Sequence, residues 1–88
     1  MSDWQQMKAD LGAAESLGTD IALGLVDLAK QAHELQETFG RVSPQLSNSM
    51  LVGSAAALTA DVVGLVDQAR QQATQMAIDL INVNHYYS

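Results

Sequence analysis

The chain predicts an all-α fold, an antiparallel helical hairpin that forms a four-helix bundle on dimerisation, and three observations lead to that class. Small or apolar residues recur at alternating steps of three and four from Trp4 through Met7, Leu11, Ala14, Gly18, Ile21, Leu25, Leu28, Ala32, Leu35 and Phe39 to Val42. That spacing belongs to one long helix showing a narrow seam to a neighbour. The strong punctuation is confined to Gly40–Gly53, where Ser43, Pro44, Ser47, Asn48 and Ser49 cluster and Pro44 steers Ser43 away from helical torsions. A second helical pattern follows and continues to the end of the sequence. The expected organisation is a single domain over 1–88, with helix 1 over 3–42, a loop over 43–50 and helix 2 over 51–86. Two such helices, each roughly 50–60 Å long at 1.5 Å per residue, joined by a short loop, make a hairpin.

Helix 1 has one weak stretch, Leu17-Gly18-Thr19-Asp20, because glycine costs about 1 kcal/mol relative to alanine in a helix interior. Gly12 and Gly24 weaken it further. Since the seam passes through position 18 in register, a continuous helix is expected, bent there or using its glycines to admit a neighbouring helix closely.

Helix 2 carries two apolar seams. The first runs Leu51, Ala55, Leu58, Val62, Leu65, Ala69, Ala73, Met76, Leu80, Val83 and Tyr87. The second, turned by roughly 100° on the helical wheel, runs Val52, Ala56, Thr59, Val63, Val66, Arg70, Ala73, Ala77 and Ile81. The opposite arc is polar, with Asp61, Asp67, Gln68, Gln71, Gln72, Gln75, Asp79 and Asn82. Helix 1 covers one seam only. The second seam is expected to face another chain, with Val52, Ala56, Val63, Val66, Ala77 and Ile81 buried there and Arg70 as the polar member of the interface.

Composition narrows the function classes. A domain of 88 residues has little core relative to its surface. With no cysteine, disulfide staples and thiolate metal sites are excluded, which leaves association as the aid to stability. Four Lys and Arg against ten Asp and Glu give a formal charge of −6 with no basic cluster, so nucleic-acid backbones and anionic bilayers repel the chain. The apolar stretch Met50–Ala60 stops at Asp61, short of the ~20 residues of a spanning helix, and no membrane span is expected. The start, Met-Ser-Asp-Trp-Gln-Gln, lacks the basic and apolar regions of a Sec signal peptide.

Reacting groups are scarce. His33 lies one turn before Glu37, where an i,i+4 contact accounts for it, and His85 lies near the end of helix 2. Neither sits in a His/Glu cluster of metal-ligand spacing, and no Gly-x-Ser-x-Gly or phosphate-cradling glycine motif occurs. No catalytic residue, metal, cofactor or small-molecule substrate is therefore expected. Trp4 is expected to close the open end of the bundle as an aromatic plug, with an exposed recognition patch as the other reading. Tyr86 and Tyr87 point about 100° apart, which leaves one of them for a partner.

Leu51-Val52-Gly53, followed by Ser54-Ala55-Ala56-Ala57-Leu58, resembles the W-x-G turn and small-residue helix start of the WXG-type early-secreted-antigen family exported by type VII secretion systems. Length, acidity and a tyrosine near the end of helix 2 are also similar. Leu51 stands where the motif has Trp, and the Tyr-x-x-x-Asp/Glu export element has no fourth position after Tyr86 or Tyr87. The resemblance implies a turn at Leu51, Val52 and Gly53, and a partner that is a second copy or a paralogous hairpin. The expected function is that of a non-catalytic partner or substrate of such a system, secreted without a Sec signal peptide. The alternative in another class is a cytoplasmic regulator, such as an antitoxin, immunity protein or adaptor, whose apolar seam masks a target.

Overall fold

The structure is a computed structural model and describes residues 2–88. Two α-helices, α1 (Ser2–Val42) and α2 (Ser49–Tyr87), pack side by side as a hairpin 68 × 16 × 13 Å in extent. The chain is all-α.

The turn between them follows from its residues. Arg41 sits in the last turn of α1, where a cation favours the negative end of the helix dipole. Ser43–Gln45 then tighten into a single 3₁₀ turn with Pro44 in its first positions, where a missing N–H costs nothing. Leu46 turns extended, at φ −96° and ψ 141°. Asn48 caps α2: its side-chain oxygen accepts from the Leu51 N–H at 3.1 Å, and its carbonyl accepts from Val52 at 2.9 Å. This cap corrects the expectation of a turn at Leu51-Val52-Gly53. Those residues form the first turns of α2, and no glycine among the described residues has positive φ.

Helix α1 runs unbroken through Gly18 because the glycine is a point of close approach. A Cβ built there would lie 2.6 Å from Leu80 Cδ1 and 3.6 Å from Met76 Cε. Around Gly12 and Gly24 there is nothing within 4 Å. Residue 15 opposite 84, 18 opposite 80 and 33 opposite 67 fix an antiparallel register along most of the hairpin.

The line of contact is made of small side chains. Ala22, Ala29 and Ala32 of α1 and Val63, Ala73 and Ala77 of α2 are the buried apolar residues, with Leu25 packed partly against Ala22, Ala73 and Ala77. Among the described residues no large side chain is fully buried and no charge is buried. An alanine methyl removes far less area from water than a leucine side chain, whose full burial stabilises by about 1.5–3 kcal/mol. The seam therefore sets the register but carries little of the free energy available in this sequence.

Candidate interaction surface

Most of the inward face of α2 is the second seam, joined by Ala55, Ala69, Ala73 and Leu80 of the first. Val63 and Ala77 are buried, and Val52, Val66 and Arg70 are half-buried along the same line, so the side assigned to another chain meets α1 of its own chain. Ala56 and Ile81 stay exposed beside that contact. The reason is distance. Where α1 offers Gly18, Ala22, Ala29 and Ala32, the interaxial separation is set by small residues, and the Val/Ala seam of α2 fits it. Leu51, Leu58 and Leu65 would hold the helices apart, and they are left 66%, 60% and 66% exposed.

A groove lies on each side of the contact, and the two differ in chemistry. The apolar one is lined by Leu28, Gln31, Ala32 and Leu35 of α1 with Val62 and Val66 of α2. Helical spacing extends this flank to Ile21 and Val42 on α1, and to Leu51, Leu58, Leu65, Met76 and Val83 on α2, all exposed. No charged residue lines the groove itself, and Asp61 and Asp79 border the α2 stripe, three or four residues from Leu58, Leu65, Met76 and Val83. Towards the chain ends the same side of α1 becomes acidic, with Asp3 and Asp10 lining a shallow groove beside Met7, Leu11 and Ala14.

The other groove holds Val26, Ala29, Lys30, His33, Glu34, Asp67 and Arg70. His33 Nε2 lies 2.9 Å from Asp67 Oδ2, a cross-helix pair in place of the expected contact with Glu37. With side chains 52% and 33% exposed, this pair contributes about 0–1 kcal/mol. Further along this flank Leu23, Val26, Ile78 and Ile81 form a smaller apolar cleft with Thr19 and Thr74. Asn84, near the end of α2, donates to Glu15 of α1.

The aromatic residues form no plug. Trp4 is half exposed, with Lys8 Nζ 5.8 Å from its ring centroid, so it caps its own helix surface through a cation–π contact. Tyr86 and Tyr87 meet edge to face at 4.9 Å, and Tyr86 is 81% exposed.

Among the described residues no group of three or more His, Cys, Asp or Glu is placed to hold a metal ion. Helix α2 is long and apolar enough, by length and composition, to cross a membrane, and little of its apolar window is buried against α1. Its first half, from Ser49 to Val66, carries a single charge, Asp61. A count that stops at Asp61 misses this, since one acid does not end a spanning segment. No protein-family model, curated protein or solved structure matches the chain.

Proposed function

We propose that the chain is a non-catalytic helical interaction protein, one half of a helical bundle completed by a partner on the Leu28/Leu35/Val62/Leu65 flank. The exposed flank, with no charge lining its groove, carries this reading. Apolar surface of that extent is unusual on a solitary soluble chain, and a hairpin whose own contact is built from alanines gains most by covering it. A helical partner fits a shallow, straight groove better than a loop does, because its i, i+3, i+4 ridge lies along the groove between the two helices.

The narrower form of the proposal is a substrate or partner of a type VII secretion system. It is supported by the hairpin architecture, the acidity and the resemblance at Leu51-Val52-Gly53, although those three residues are helical here. In this form Tyr86 and Tyr87 are the terminal recognition element, and the exposure of Tyr86 supports that role. A cytoplasmic regulator that masks a target through the same flank is the alternative. Cell fractionation separates the two. The secretion reading requires the chain in the culture supernatant of a strain with an intact type VII apparatus and its loss when that apparatus is disabled. Retention in the cytosol in both strains contradicts it. Light scattering of the purified chain, alone and with the product of the adjacent gene, tests the broader reading, which fails if neither sample associates.

A membrane reading is favoured by one observation, the length and low charge of Ser49–Val66. Co-sedimentation with neutral phosphatidylcholine vesicles tests it. Binding lost in Leu58→Asp would support lipid contact, and a chain left wholly in the supernatant would end it.

A further inference from the structure

We infer that a second copy of this chain covers the apolar flank, in an antiparallel two-fold pairing centred on Leu28, Leu35, Val62 and Leu65. This rests on the interaction reading above and names its partner. Area is the first argument. The exposed parts of Ile21, Leu28, Leu35, Leu51, Leu58 and Leu65, with their neighbours on the same stripes, amount to roughly 1,000 Å² per copy, against about 800 Å² a side for a specific interface and about 300–600 Å² for the largest patch of an ordinary monomer. The flank alone is large enough for a stable dimer.

Shape is the second argument. The molecule is 68 Å long and only 16 × 13 Å across, so a compact globular partner would reach only part of the stripe. A second hairpin presents a stripe of the same length and the same three-four spacing, and a two-fold axis lets each copy fill the other's groove with one set of residues.

Charge sets the orientation. Asp3 and Asp10 lie on this side of α1 at the open end, whereas the stripe through Ile21, Leu28 and Leu35 has no acid and that through Leu51, Leu58 and Leu65 is bordered by Asp61 alone. Pairing with both loops at one end would bring the four aspartates of two copies together, and like charges facing across an interface oppose association. Antiparallel pairing leaves each pair of aspartates projecting past the partner's loop, far from the other pair. The dimer is a four-helix bundle whose centre is displaced from the middle of the hairpin towards the loops.

Sedimentation equilibrium of the full chain tests this, with Leu65→Asp as the interface variant and Leu23→Asp, 61% exposed on the opposite flank, as its control. Both positions are open in the single chain, so helicity by circular dichroism should be kept in both. The wild-type chain and Leu23→Asp should be dimeric at about 10 μM, with Leu65→Asp weakened at least about 100-fold. The chain has no native cysteine to interfere, so a Ser47→Cys variant reads the orientation. It should remain uncrosslinked on oxidation while dimeric, and ready disulfide formation between loops would overturn the antiparallel arrangement. A wild-type chain still monomeric at about 100 μM would overturn the second copy as occupant. If that monomer binds the adjacent gene's product or vesicles through Leu65, the flank belongs to that occupant. The general interaction reading would survive the first case, and the present inference would not survive either.

Discussion

The two flanks of the hairpin are made by the same helices on either side of one seam, yet one groove is lined by no charged residue and the other is crossed by Lys30, His33, Glu34, Asp67 and Arg70. The difference teaches which surface can be taken out of water. Covering the Leu28/Val62 side removes hydrocarbon from solvent, at about 25 cal/mol per Å² in favour. Covering the His33 side would strip water from five ionisable groups, which costs more than their mutual attraction returns unless every one finds a partner. Exposure alone does not separate the flanks, since Leu23 is as open as Leu58.

Substitutions sharpen the contrast. The largest effect is expected from a charge on the apolar side: Leu65→Asp should cost association at least about 100-fold, or about 3 kcal/mol, while Leu23→Asp stays within about tenfold of wild type, both read by sedimentation. Next comes the seam between the flanks. Ala77→Leu forces a large side chain into the close contact beside Ala22 and should lower unfolding stability by about 1–3 kcal/mol in denaturant titration. If Ala77→Leu is neutral, the helices are not as close as the small-residue seam requires.

The glycines give a smaller, signed test. Gly12→Ala and Gly24→Ala meet open space and should each stabilise by about 0.5–1 kcal/mol in thermal melts. Gly18→Ala should gain less or lose, because Leu80 Cδ1 must move aside. The smallest effect belongs to the charged flank. His33→Gln should change stability by less than about 1 kcal/mol, since the pair with Asp67 is largely solvated. A loss of several kcal/mol would mean that this groove, and not the apolar one, holds the hairpin in register.

Much of the fold was legible because it depends on local rules. The three-four spacing gave both helices, Pro44 and its polar neighbours gave the break, and the seam running through position 18 gave a continuous α1 with a glycine available for close approach. The inward face of α2 was not legible. Its two seams lie about 100° apart, and assigning the bulkier one to the interior ignores that Gly18, Ala22 and Ala29 on α1 set the spacing. Small residues on both helices were the available signal, and Ala73 and Ala77 opposite those positions carried it. The contact of His33 with Asp67, 34 residues away, lies beyond any rule of local spacing. Trp4 was expected to close the open end shared with Tyr86 and Tyr87, but the register that sets Glu15 opposite Asn84 carries the start of α1 past the end of α2, so Trp4 stays half exposed.

Thiol reactivity at two engineered positions is the most direct check on the claim that one flank is the docking surface. Leu65→Cys and Leu23→Cys can be compared in a chain that otherwise has no cysteine, each labelled over a concentration range and with the adjacent gene's product. The expected result is a Leu65→Cys thiol whose labelling slows as the complex forms, with the Leu23→Cys rate unchanged. Protection of the Leu23→Cys thiol while that at position 65 reacts freely would contradict the account.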